Sequence, residues 1–132
     1  MAGAYSSTPL FKKLGLKEGM NVHLIHPPAS YITQLQKDVG EITIVKAPFD
    51  FIHLFTNSYR EYIEELPTLK KQLKKDGIFW VSWYKKASGK KTELTEDIIR
   101  NYALETGLVD LKICSVDDDW SRLKLVFRLK DR

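Results

Sequence analysis

The sequence predicts an α/β fold: a three-layer α/β/α sandwich around a mainly parallel sheet, closed by a C-terminal antiparallel hairpin. Three observations lead there. Helical and strand-like stretches alternate along the 132 residues, the pattern of parallel strands joined by crossover helices. FDFIHLF (49–55) and IFWVSW (78–83) are apolar nearly throughout, as strands covered on both faces are. The last two strand-like stretches, LVDLKICSV and LKLVFRL, are joined only by DDDWSR, which suits a hairpin and is too short for a crossover.

Each element has its own signal. Thr8 is placed to cap a first helix, Pro9 suits its first turn, and Leu10, Phe11 and Leu14 make an apolar stripe. Gly15 is expected to end that helix in the left-handed conformation, and Gly19 to turn the chain into a first strand over 21–25. After HPPAS, Ser30 is expected to cap a short helix with Tyr31, Ile32, Leu35 and Val39 on one side, stopped by Gly40. EITIVKA (41–47) reads as a second strand, ended by Pro48, and FDFIHLF as a third. Residues 58–77 make the longest helical stretch. Ser58 and Glu61 have capping-box spacing, Tyr59, Tyr62, Ile63, Leu66, Leu69 and Leu73 recur at helical intervals, and Gly77 closes the stretch. Pro67 is expected to kink or split it. IFWVSW is the fourth strand. YKKASGKKTEL (84–94) reads as polar and mobile, and Thr95 as the cap of a helix that turns Ile98, Ile99, Tyr102 and Ala103 inward. No repeat or linker divides the chain, so residues 1–132 are read as one domain.

Composition narrows the function classes. Hydrophobic residues are 43% and charged residues 29%, which excludes a disordered tail. No apolar run approaches the roughly 20 residues of a membrane span, and MAGAYSSTP lacks a signal-peptide pattern, so a cytoplasmic location is the expectation. Cys114 is the single cysteine. It excludes an internal disulfide and reads as a buried, inert thiol. The net charge of +4 permits an anionic partner without demanding one.

The order of elements resembles a reduced class I S-adenosylmethionine methyltransferase, a Rossmann-like fold. LGLKEGMNVHLI resembles the approach to that fold's first strand, FDFIHLF its fourth, LKKDGIFWVSW its fifth, and the hairpin its sixth and seventh. TPLFKKLGLKEGM, VSWYKKASGKKTELTEDIIR and GLVDLKICSVDDDWSRLKLV together resemble a small bacterial domain family of unknown function. The resemblance implies a methyltransferase-like fold and no established activity. It also implies a degenerate cofactor site. Active members turn after the first strand on glycines, which let the backbone approach the cofactor. HPPAS has none, and Pro27 and Pro28 remove two backbone donors. An acid should end the second strand to hold the ribose hydroxyls, whereas Lys46 and Ala47 follow Val45. No cofactor is therefore expected.

Ligands of doubly wound sheets lie beyond the carboxyl ends of the strands. That edge should gather His26, Pro27, Tyr31, Thr56, Asn57, Ser58, Trp83, Tyr84, Lys85 and Lys86, a mix suited to a small anionic molecule or a protein partner. His23 and His53 lie within apolar strands and read as core or interface histidines. No pair of histidines has zinc-motif spacing. Asp117, Asp118 and Asp119 read as a solvated turn. Ser88 matches neither a phosphate loop nor a nucleophile motif. Lys70, Lys71, Lys74 and Lys75 read as a solubility face. Lys85, Lys86, Lys90 and Lys91 follow Trp80, Trp83 and Tyr84, a mix that can bind single-stranded nucleic acid. The odd spacing of the two tryptophans puts them on opposite faces and weighs against that use. The reading is a small, non-catalytic domain that binds a small ligand or a protein partner at the strand ends. The alternatives are a cofactor-binding methyltransferase-like enzyme and a nucleic-acid accessory protein.

Overall fold

The computed structural model describes residues 14–16, 19–33, 47–115 (side chains as far as Leu111) and 119–132. The expected second strand, most of the first two expected helices, and the Cys114, Asp117 and Asp118 side chains lie outside them.

Within the described residues one sheet holds five strands: β1 (Val22–Ile25), β2 (Phe49–Phe55), β3 (Leu73–Tyr84), β4 (Leu108–Ser115) and β5 (Trp120–Phe127), in the spatial order β1-β2-β3-β5-β4. β1, β2 and β3 run parallel, with Leu24 opposite His53 and His53 opposite Trp80. β5 runs antiparallel to β3 and to β4, so the predicted hairpin enters the sheet through its second strand. Helix α1 (Tyr59–Gln72) carries the chain from β2 to β3, and α2 (Glu96–Glu105) precedes β4.

The alternation of side chains along the strands builds a core on each face. On one, Ile52, Leu54, Phe79 and Val81 meet Tyr62, Leu66 and Leu69 of α1 and Ile99 and Ala103 of α2. On the other, Phe51, Phe55 and Trp80 meet Leu14, Leu16 and Tyr31. The expected opposition of the two tryptophans holds: Trp80 lies in the second core and Trp83 in the first. The Trp80 indole N–H donates to the Leu14 carbonyl at 2.8 Å and pins the N-terminal turn to the sheet. Gly15, at φ +82, has the expected left-handed conformation. A Cβ there would come within 2.8 Å of Ile78 Cδ1, so conformation and space both favour glycine.

Three expectations about 58–94 are corrected. Pro67 does not split the helix: α1 is continuous through it. A proline at 67 cannot donate to the carbonyl of Ile63, four residues back. The Tyr102 hydroxyl of α2 donates to that carbonyl instead, at 2.9 Å, so a neighbouring helix restores the lost bond. Gly77 does not close the helix either. α1 ends at Gln72, Leu73 is already extended, and β3 begins there, four residues before the glycine. An irregularity in the register lets Phe49 face Leu73 while Phe51 faces Ile78. Finally, 84–94 is tied down rather than mobile. It makes a 3₁₀ turn at Lys86–Ser88, buries Leu94, and anchors Glu93 twice to the end of β2 and the start of α1.

The lysines around the junction of α1 and β3 do more than dissolve the surface. Lys70 donates to the Thr106 carbonyl at the end of α2. Lys75 lies 4.5 Å from the centre of the Phe127 ring. Lys74 pairs with Asp50 at 3.0 Å.

Removing the hydroxyl that replaces the missing Pro67 donor should cost about 1 kcal/mol, a fall of about 4 °C in Tm for Tyr102→Phe. In a Pro67→Ala background the restored N–H should cut that cost by about half. Equal losses in both backgrounds, read by thermal denaturation, would separate the tyrosine from the proline.

Candidate functional site

The three parallel strands release their chains at one edge. β1 ends at Ile25, and His26 takes a left-handed conformation with φ +56, which a non-glycine side chain rarely adopts. Pro27 and Pro28 follow. The Pro28 carbonyl accepts from the N–H groups of Tyr31 and Ile32 and so starts the helical turn over 29–33. The expected cap, Ser30, lies inside that turn and is exposed. The His26 imidazole reaches across to α1, with Nε2 2.9 Å from Glu61 Oε2.

β2 ends at Phe55, and the next three side chains shape the exit. Thr56 Oγ1 accepts from the Ser58 N–H, Asn57 Oδ1 accepts from the Tyr84 N–H at 2.7 Å, and Ser58 Oγ accepts from the Glu61 N–H at 3.1 Å. Half of the predicted capping box is thus made. Its other half is not, since the Glu61 carboxylate goes to His26. Asn57 also accepts at its carbonyl from the Glu93 N–H, while Glu93 Oε1 accepts from the Tyr59 N–H. Glu93 therefore caps α1 from 34 residues away in sequence.

A cleft of about 880 Å³ results. Phe55, Tyr84 and Trp120 form an aromatic wall, with the Trp120 ring 5.2 Å from Phe55 edge-on and 4.5 Å from Tyr84. His26 and Glu61 stand on the other side, and Lys91 and Glu93 at the rim. A second cavity of about 620 Å³ adjoins it, and Tyr84, Lys91 and Thr92 border both.

The residues singled out in the sequence divide among three places. His26, Thr56, Asn57, Ser58 and Tyr84 line the cleft. Trp83, Lys85 and Lys86 border the second cavity instead. Tyr31 lines neither. It is buried on the β2 face, where its hydroxyl lies 2.6 Å from His53 Nδ1. The sequence does not point to Trp120 or Glu93, because nothing local shows that the hairpin turn and the 84–94 run come back to the ends of β1 and β2. An aromatic beside a hairpin turn is the one signal that could have pointed to Trp120.

Tyr31 belongs to a buried polar chain. His53 Nε2 lies 2.7 Å from Ser82 Oγ, and all three groups are in the core. A neutral imidazole offers one donor and one acceptor, so either tautomer satisfies both contacts. Burial, aided by the nearby Arg122 guanidinium, holds His53 well below the ordinary histidine range. Burial likewise pushes the Tyr31 phenol up, against the opposing pull of Arg122. Ser82 and His53 have the contact of a serine–histidine pair but no access for a substrate. His23, half-buried, stacks on Phe49 at 4.8 Å. No cluster of metal-ligating side chains occurs among the described residues, and no helix among them is long and apolar enough to cross a membrane.

No family model and no curated protein matches the chain. Solved structures do. An S-adenosylmethionine-dependent methyltransferase from Aquifex aeolicus superposes with a TM-score of 0.64 at 16% identity, covering 88% of this chain and 86% of its own. The magnesium protoporphyrin IX methyltransferase of Synechocystis PCC 6803 gives 0.65 at 10% identity over 94% and 81%. Aeropyrum pernix fibrillarin, in complex with S-adenosyl-L-methionine, gives 0.57 at 12% over 92% and 74%. The chain has a methyltransferase-like fold. The mixed sheet, three parallel strands followed by an antiparallel pair among the described residues, agrees with the predicted parallel sheet closed by a hairpin, and the further strand expected over 41–47 lies outside those residues.

The buried histidine makes stability depend on pH. Its unfolded form takes up a proton near pH 6.5 and its folded form does so only well below that. Stability is therefore full above about pH 6.5 and falls as pH drops below it, by up to about 1.4 kcal/mol per pH unit. Urea denaturation at about pH 7.5 and about pH 5 should show that loss, and replacing His53 with glutamine should flatten the slope. An equal slope in the variant would place the titration elsewhere.

Proposed function

We propose that this methyltransferase-like domain is non-catalytic and binds a small ligand in the strand-end cleft. The observation that carries the reading is the turn after β1. A class I methyltransferase would hold S-adenosylmethionine there on backbone groups exposed by glycines. In this chain the positions are His26, Pro27 and Pro28. Two of the three have no backbone N–H, and the imidazole of the first is drawn over the cleft to Glu61. The sequence also has Lys46 and Ala47 where an acid would meet the ribose. These residues do not fit the group. The cleft itself remains large, and its aromatic wall with a few convergent polar groups is the usual make-up of a small-molecule site.

A second reading rests on a separate observation. The left-handed φ of His26 is the conformation that a glycine would supply, so a backbone path compatible with cofactor is kept even where the residue type is not. That favours an enzyme that binds the cofactor in an altered way.

Calorimetric titration with S-adenosylmethionine and S-adenosylhomocysteine separates the two. The first reading expects no heat of binding at millimolar cofactor and no methyl transfer by the purified protein. Micromolar binding of either compound would overturn it. For ligands found by a metabolite screen, Tyr84→Ala should leave the protein folded and weaken binding about tenfold or more, a loss of about 1.4 kcal/mol. Binding that survives unchanged would remove the cleft as the site.

A further inference from the structure

We propose that the second cavity is a separate site for a small, multiply phosphorylated molecule. Four lysines of one seven-residue run, Lys85, Lys86, Lys90 and Lys91, line its volume of about 620 Å³. They are brought together by local structure. The 3₁₀ turn at Lys86–Ser88 and the left-handed Gly89 fold the run back, so that residues at both of its ends meet the same space. Anchors on both sides fix the fold: the Lys85 N–H donates to the Asp119 carbonyl, and Leu94 and Glu93 are held as described above.

The charge balance of the cavity is positive. Lys90 pairs with Asp119 at 2.9 Å and lies 5.2 Å from the centre of the Tyr84 ring. Lys85, Lys86 and Lys91 make no ion pair among the described residues. The one carboxylate among the described lining residues is Glu96, which is engaged by Arg100. Lysines that border one concavity give it a net positive charge, which favours a ligand that brings several negative charges into a small volume. Thr92, Thr95 and Ser121 add hydroxyls to the same lining, which can donate to phosphate oxygens.

The cavity suits a compact phosphorylated molecule better than a nucleic-acid strand. Strand binding needs aromatic faces on which successive bases stack. Trp80 is fully buried and Trp83 is only 5% exposed. One face of Tyr84 is already taken by Lys90 and its ring packs on Trp120. What the run offers is charge around a concavity.

Inorganic triphosphate is the probe. Thermal denaturation of the whole chain should show a Tm rise of about 5 °C at about 5 mM triphosphate in low salt. The rise should shrink in about 0.3 M sodium chloride. It should be lost in the double variant Lys85→Gln/Lys86→Gln and kept in His26→Ala, which alters the neighbouring cleft. Circular dichroism confirms that the variants are folded. The proposal is overturned by no rise in the wild type, by an equal rise with sodium sulfate at matched ionic strength, or by a rise that survives in the double variant. Binding of an oligothymidylate without binding of triphosphate would also overturn it and assign the lysines to a nucleic-acid strand.

Discussion

Strands that run parallel must release their chains at the same edge of the sheet, and in this domain that constraint places everything of functional interest. β1, β2 and β3 end side by side, so the backbone groups that leave the ladder there all need new partners at once. The exit residues meet that need locally. Asn57 accepts from the end of β3, Thr56 donates at its backbone to the Ser82 carbonyl, and Ser58 caps α1. The polar run that follows β3 is drawn into the same task through Glu93, which bonds both the β2 exit and the first turn of α1. The cleft and the lysine cavity are adjoining spaces, both bordered by that run.

The same economy governs the sheet faces. A dry core accepts polar groups only when they satisfy one another, and Tyr31, His53 and Ser82 do so in a single chain of contacts that crosses from the 29–33 turn to β2 and β3. On the opposite face the Pro67 vacancy in α1 is met by Tyr102 of α2. Arg100 then joins α2 to β4 through Asp110 at 2.9 Å. Layers that would otherwise be held by apolar contact alone are thereby fixed in register.

The turn after β1 separates what the backbone path fixes from what the side chains are free to vary. Its backbone has a left-handed residue, His26, where the chain leaves β1. A histidine and two prolines complete the turn, with left-handed strain at His26 and without the backbone N–H groups that prolines lack. The scaffold is thus compatible with many occupants, and the identity of the occupant lies in a few side chains.

Much of the architecture was legible in the sequence. The apolar runs of β2 and β3 marked the middle of the sheet, the short DDDWSR connection marked the hairpin, and Thr95, Ser58 and Gly15 marked helix ends where they occur. These features are local: periodicity, caps and turn residues act within a few positions of the chain. What failed was whatever depended on distant partners. Pro67 reads as a break until Tyr102 is known to stand beside it, and Gly77 reads as a stop until β2 draws Leu73 into the ladder. Tyr31 reads as a rim residue until His53 claims its hydroxyl. The sequence alone determined the fold class and the residue types after β1. Only tertiary structure decided which polar side chains line a cavity, which are spent inside the core, and that the lysine-rich run borders two adjoining cavities, because those outcomes are set by contacts between residues far apart in the chain.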